Sequence, residues 1–174
     1  WCLDRGYDGI VTVDGNDKDG VDAIAAFIQK LEAGYDYIQG SRYLEHGVAE
    51  NTALDREVGN RVIQAPLLSF LGLRHYTDTT NGFRAYSRRF LLDPAVAPFR
   101  DVFATYQLLS YLTVRAGQRN YRTCEVPVAR RYPKDAPTPT KINGWAARLS
   151  LLKETLQAAA GRFHPRDSEP SSIR

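Results

Sequence analysis

The stretch GIVTVDGNDKDGVDAIAAFIQKLEAGYDYIQGSR, residues 9–42, decides the fold. It opens on GIVTV (9–13), a short apolar, β-branched run that stops at Asp14 and reads as a buried strand. In GVDAIAAFIQKLEAG, residues Val21, Ile24, Ala25, Ile28 and Leu31 fall at helical spacing. Asp19 is a candidate N-cap and Gly34 suits the C-terminal stop. YDYIQ (35–39) is the next strand. Strand, helix and strand in that order predict an α/β domain with a mainly parallel sheet.

Between the first strand and the helix lies DGNDKDG (14–20), with three aspartates, an asparagine and two glycines. A calcium loop of the EF-hand type fails on position: Lys18 stands at 5, Asp19 at 6 and Ala25 at 12, and a strand precedes the loop. A metal–nucleotide loop fits better. Ligands of open α/β sheets bind beyond the carboxyl ends of strands, where Asp14 sits. Asp14 and Asn16 put two oxygen-bearing side chains at one spot, able to hold Mg²⁺ or Mn²⁺. Asp, Gly and Asn are also the ordinary residues of a strand-to-helix turn, so the loop alone leaves a structural reading open.

Further along, GSRYLEHGVAENT reads as a polar loop. Asp55 to about Leu71 reads as a helix with Val58, Val62, Ala65 and Leu68 or Ser69 inward, bent at Pro66. FRAYS (83–87) is a strand and Asp101–Ala116 a helix, with Val102, Tyr106, Leu109 and Leu112 on or near one face. RTCEVPVAR (122–130) alternates as a strand. A proline-rich loop follows, then an amphipathic helix from Ile142 to about Phe163. The expected division is one domain over 1–163 and a disordered tail over 164–174.

The composition is ordinary: 174 residues, 43% hydrophobic, with a net charge of +3 that is too balanced to argue for nucleic acid. Cys2 and Cys124 have no metal-ligand spacing, and the three histidines are scattered. No apolar run approaches the ~18 residues of a membrane span. The default expectation is a cytosolic protein. The absence of methionine suggests that the chain does not begin at a natural start.

Three other segments bear on the opening loop. GSR (40–42) places Arg42 after the second strand, TDTTNGFR (77–84) groups Asp78, Asn81, Gly82 and Arg84, and RRYPKDAPTPTK (130–141) is basic and ends in Lys141. One acidic loop and several basic ones at one sheet edge suit a metal-bound nucleotide diphosphate and an anionic acceptor. Each residue also has a plainer reading. Asp78 can cap a turn, Arg84 can form a buried ion pair, and Arg42 can be a solvated loop residue. Arg56, Arg61, Arg88 and Arg89 read as surface charges, although Arg56 could reach an acceptor phosphate. Gly82 reads as backbone geometry.

The succession IVTVDGN, QGSRY, TDTTNGFRAYSRRFL, EVPVARRYPK and PTK resembles family-2 glycosyltransferases of the GT-A fold, over roughly residues 1–150. The branch it most resembles holds dolichyl-phosphate mannose synthase and the bacterial polyprenyl-phosphate glycosyltransferases. DGN alone is a weak signal, but the whole order of segments is specific. The resemblance implies a Rossmann-like, partial GT-A domain with a mixed, mainly parallel sheet. It implies inverting, metal-dependent transfer of a sugar from a nucleotide diphosphate-sugar, with a polyprenyl phosphate as favoured acceptor, and so a role in cell-envelope glycan biosynthesis.

By that match, Asp14 and Asn16 hold metal (Mg²⁺ or Mn²⁺) and diphosphate, with Arg131 and Lys141 in the basic loop that closes over phosphates. Arg42 and Arg84 steer an anionic acceptor, and Asp78 is the catalytic candidate next to the transfer, as base for a hydroxyl acceptor or as positioning group for a phosphate acceptor. Two departures stand out. Asn16 replaces the second carboxylate of the D-x-D motif, a weaker ligand for a hard cation. The family's leading strands, which grip base and ribose, have no counterpart before WCLDRGYDG. The expectation is then an unpaired edge at GIVTV and a chain that is oligomeric or needs a missing half. An acceptor hydroxyl on a glycan or small molecule is the alternative chemistry, and a non-catalytic binding module the alternative class. The final helix, with Ile142, Trp145, Leu149, Leu152 and Leu156 in a stripe, can pack on the sheet or lie on a membrane surface. A peripheral place at the cytoplasmic membrane face would suit a lipid acceptor.

Overall fold

The computed structural model describes residues 1–103, 107–132, 153–158 and 160–165. It is a mixed α/β fold. Strands β1 (Gly9–Thr12), β2 (Tyr37–Ser41), β4 (Arg84–Ser87) and β5 (Thr123–Pro127) form one sheet in the order β1-β4-β2-β5. β2 and β5 are parallel, while β4 runs antiparallel between β1 and β2. The β-α-β unit read from residues 9–42 is present, but its two strands are not neighbours. The FRAYS strand lies between them because it is apolar enough to be central: Ala85 is fully buried and Tyr86 nearly so. Among the described residues β1 pairs only with β4 and sits at the sheet edge. Strands β3 (Val48–Glu50) and β6 (Ala129–Arg131) form a small second sheet, in parallel.

Alternation along the strands divides the core. Ile38, Phe83, Ala85 and Val126 face helix α1 (Ile24–Glu32), where Phe27 stacks on Phe83 with ring centroids 4.5 Å apart. Tyr37, Tyr86 and Phe90 face the other way, toward helix α5 (Gln107–Gln118). In α1 the inward phase differs from the expected one. Phe27 is fully buried, whereas Val21 and Ile28 are exposed. One stacked aromatic contact outweighs several small aliphatic ones. Gly34 ends this helix region with φ of 81°, as its position predicts. Asp19 does not cap the helix; Gly20 precedes a 3-10 turn over Val21–Ala23 without a side-chain cap.

The helix expected over 55–71 is three pieces: α2 (Leu54–Val58), a π-helical segment (Gly59–Gln64) and α3 (Ala65–Gly72). Pro66 falls in the first turn of α3, just past the wide π turn, which accommodates its ring and missing N–H. The π turn also rotates the inward face. Ala65 and Leu68 are buried as expected, but Asn60 points inward while Val58 and Val62 are exposed. The polar loop after β2 contains β3, a strand too short to show periodicity. The strand read over 122–130 breaks at Val128 and passes from the main sheet to the small one. Residues 153–158 are helical, within the expected last helix. Most of that helix and residues 166–174 of the tail lie outside the described residues.

Helix α4 (Arg88–Leu92) is capped by Ser87, whose Oγ accepts from the Phe90 amide. Helices α3 and α5 cross at two glycines. A Cβ on Gly117 would stand 1.7 Å from the carbonyl oxygen of Gly72, and one on Gly72 would meet Val114 Cα at 3.3 Å. Gly117→Ala must part the two helices. The expected loss is about 1–3 kcal/mol of stability, read from urea melts; a midpoint unchanged from wild type would show that the crossing yields freely.

Candidate active site

The carboxyl ends of β1 and β2 and the start of β4 lie at one end of the sheet, and the chemistry-bearing loops gather there. Two ionic clusters organise them.

The first cluster centres on Arg130 of β6. Its Nη2 donates to Asp14 Oδ2 at 3.0 Å, and its Nη1 donates to both oxygens of Asp19, at 2.9 and 2.8 Å. The Arg131 amide donates to the Lys18 carbonyl at 2.9 Å and the Gly20 amide to the Ala129 carbonyl at 2.9 Å, so the 14–20 loop is laced to β6. Burial is the largest influence on Asp19 and pushes its carboxyl upward, against the pull of Arg130. Asp14 keeps a side chain 44% exposed and leans over Gly82. A Cβ at position 82 would stand 2.7 Å from Asp14 Oδ1. Gly82 therefore makes room for Asp14, a more specific role than backbone freedom. Asn16 is exposed on the same loop.

The second cluster is Arg42 and Asp78. Arg42 donates to Asp78 from Nε at 2.6 Å, from Nη2 at 3.0 Å and from its own amide at 3.2 Å. Asn60 Nδ2 donates at 2.9 Å, and Thr80 donates from its amide at 3.2 Å and its hydroxyl at 3.1 Å. Asp78 has no exposed surface. Burial alone would raise its pKa, but the Arg42 guanidinium and the amides outweigh burial and hold it below the ordinary carboxylate value. Arg42 is itself 7% exposed and donates to Thr80 Oγ1 at 2.7 Å.

Arg84 requires a correction. It is fully buried on the α5 side of the sheet. It donates to the carbonyls of Asn81 at 2.9 Å, Leu109 at 2.8 Å and Thr79 at 2.8 Å, and to Thr113 Oγ1 at 3.2 Å. A guanidinium with no exposure and four acceptors around it ties the 79–81 loop to α5; it cannot meet an acceptor phosphate. Arg131 also differs. It is exposed and pairs with Glu50 at 3.2 Å, and its neighbour Arg130 is the one on Asp14. In a strand, adjacent side chains point to opposite faces, and that alternation in ARR is the signal that marks one arginine as inward. Lys141 lies outside the described residues. Asn60 and Glu125 carried no sequence signal, since the first is turned inward by the π segment and the second reaches a loop distant in sequence.

The donor set suits a divalent cation only in part. Among the described residues no three His, Cys, Asp or Glu side chains come together as a metal site. Asp14 and Asn16 offer one carboxylate and one amide oxygen. Mg²⁺ commonly takes one or two carboxylates and fills its other positions with water and substrate phosphate. The residues fit a cation that arrives with a diphosphate, not one held by protein alone.

A cavity of about 660 Å³ lies at the opposite sheet end, bordered by Asp8, Asp36 and Arg89. It is remote from both clusters. Arg89 is tied there to buried Asp36, which also accepts from Ser87 Oγ and the Arg122 amide. The lining is thus structural, centred on the Arg89–Asp36 pair at that end of the sheet.

Because the folded value of Asp78 is depressed, its pair contributes stability that is present above the unfolded value of about 3.9 and lost as pH falls through the folded value. Asp78→Asn strands the Arg42 charge. The expected cost at neutral pH is about 3–5 kcal/mol, shrinking in the acid range. Urea melts of both proteins from pH 7 downward check this; a pH-independent difference would place the cost elsewhere.

No family model matches the chain. Curated relatives do. A "Polyprenol monophosphomannose synthase" of Mycolicibacterium smegmatis is 28% identical over 163 residues, 94% of this chain and 60% of the relative. A "Dolichyl-phosphate hexose transferase" of Haloferax volcanii is 29% identical over 148 residues, 85% of this chain and 60% of the relative. "Glycosyltransferase AglJ" of the same archaeon is 25% identical over 134 residues, 77% of this chain and 42% of the relative. The chain spans about 60% of the length of the first two. Two of the three names carry a polyprenol or dolichyl phosphate, and the mixed sheet with its loops at one end is compatible with part of a GT-A fold. The chain is similar to proteins named as polyprenol- and dolichyl-phosphate sugar transferases, which supports a relationship to the family-2 polyprenyl-phosphate glycosyltransferases.

Proposed function

We propose that this chain takes part in moving a hexosyl group from a nucleotide diphosphate-sugar to a polyprenyl phosphate, with inversion. The observation that carries the reading is the saturated state of Asp78. A hydroxyl acceptor needs a base to take its proton. A phosphate monoester is already largely ionised near neutral pH. Asp78, fully buried, held by six donor contacts and low in pKa, is poorly placed to accept a proton. It fits as the frame of the acceptor side, with Arg42. In the transfer, a phosphate oxygen forms the bond to the anomeric carbon as the bond to the diphosphate oxygen breaks. The nucleotide diphosphate leaves, and no proton need move.

Asp14 and Asn16 would hold Mg²⁺ or Mn²⁺ against the diphosphate; the ion supplies positive charge where the leaving group gathers negative charge. Arg130 fixes the Asp14 carboxylate from one side and Gly82 leaves it space from the other. Arg131 and Lys141 would add outer cations.

A lipid acceptor implies work at a membrane surface. Among the described residues no helix is long and apolar enough to cross one. The outer side of residues 54–73 is apolar, however: Leu54, Val62, Phe70 and Leu73 are 66–77% exposed. Its inner side holds Asn60, bonded to Asp78. This face is the one that would meet lipid. Sedimentation with vesicles containing anionic lipid should carry the protein down, and Phe70→Glu with Leu73→Glu should leave it in the supernatant. Equal partition of both would remove the membrane from the reading.

Calorimetric titration with Mn²⁺ and a panel of nucleoside diphosphates tests the donor side. Metal-dependent binding is expected, lost in Asp14→Ala. Gly82→Ala, whose Cβ would have the movable Asp14 side chain as its nearest neighbour, should weaken binding while changing stability by no more than about 0.5 kcal/mol. No binding by the folded chain would assign it a non-catalytic role.

A further inference from the structure

We propose that Glu125 is a positioning residue for the Arg42–Asp78 pair, acting through the backbone of residues 77 and 78. The parallel register of β2 and β5 pairs Glu125 with Gln39, three residues before Arg42 in the chain. From there its carboxylate reaches across to the TDTTNGFR segment. Oε1 accepts from the Thr77 amide at 2.9 Å and the Asp78 amide at 3.2 Å. Oε2 accepts from the Thr77 amide at 3.0 Å and the Thr77 hydroxyl at 2.9 Å. All of these partners are neutral. Burial is the largest influence on Glu125 and raises its pKa, so the fold sets a charged group there at a cost.

The contact has a consequence for Arg42. Thr77 Oγ1 lies 2.6 Å from Ser41 Oγ, which accepts from the Tyr43 amide at 3.1 Å. Residues 41 and 43 are thereby fixed on both sides of Arg42, while its side chain is fixed by Asp78. The contacts from Glu125 through Thr77 and Ser41 to Tyr43 form a chain that ends beside Arg42 of the ion pair. A glutamate fits this reach; the two backbone amides ask only for an acceptor. The role in sugar transfer rests on the function proposed above, whereas the clamp itself does not.

Three variants separate the possibilities. Glu125→Gln keeps reach and one acceptor oxygen but removes the charge. Glu125→Asp keeps the charge but is one methylene short. Glu125→Ala removes both. Amide hydrogen exchange reads the clamp at Thr77 and Asp78, and titration with farnesyl phosphate reads the acceptor side. In Glu125→Asp and Glu125→Ala, exchange at residues 77 and 78 should quicken about tenfold and farnesyl phosphate should bind about tenfold more weakly, the scale of one or two lost hydrogen bonds. Exchange in α1 should not change. Glu125→Gln should stay within about threefold of wild type on both measures.

Unchanged exchange at 77 and 78 in the Asp and Ala variants would overturn the clamp. Faster exchange with undiminished farnesyl phosphate binding would overturn the positioning role, as would an equal loss in all three variants spread over the whole chain. If wild type binds no farnesyl phosphate, the acceptor reading and the positioning role fall together, and the exchange data still decide the clamp. If Glu125→Ala does not fold, Glu125→Asp against Glu125→Gln carries the comparison.

Discussion

A carboxylate removed from water must be compensated on every side, and Asp78 shows how much structure that demands. Its partners come from the end of β2, the π-helical segment and its own loop. β5 joins through Glu125, which holds the backbone that carries Asp78. Four segments distant in sequence are thus placed relative to one another by a single buried charge. Arg84 extends the arrangement, because it binds the carbonyls on either side of Thr80 and anchors them to α5.

The Asp14 cluster follows a different logic. Its Arg130–Asp19 pair is buried, whereas Asp14 is half open to solvent, restrained without being sealed. Arg130 takes one oxygen, and the bare Cα of Gly82 allows the carboxylate to rest against the neighbouring loop. The proposed contact with a cation and a diphosphate would call for such a state: oriented in advance, yet not saturated. The two clusters are therefore unequal. One is a closed frame and the other an open hand, and they lie at the same sheet end because β4 enters the sheet from the loop that joins them.

The helical stretch 54–72 connects this frame to the outside. An unbroken α-helix would have turned Val58 and Val62 inward with Ala65 and Leu68. The π turn, next to Pro66, admits Asn60 to the interior and leaves apolar side chains on the surface. Local backbone irregularity thus gives one element two tasks, a polar contact with Asp78 within and an apolar face without.

Much of this was legible in the chain. The β-branched run before Asp14, the helical spacing after it and the stop at Gly34 determined the first βα unit, since those patterns depend only on local geometry. The order of DGN, GSR and TDTTNGFR marked segments that gather at one sheet end. What the sequence could not decide was which charges face each other. Arg84 and Arg131 are arginines in basic or conspicuous segments, yet one is sealed against carbonyls and the other pairs with Glu50. Asn60 and Glu125 have no local signature, because their partners are 18 and 47–48 residues away, and the alternation that turns one arginine of ARR inward does not name the partner of Arg130, 116 residues away. Periodicity reports which face of an element is apolar. Only the register of β5 on β2, the break at Val128 and the rotation of the π turn determine which polar side chains meet, and those are set by the packing of the whole fold.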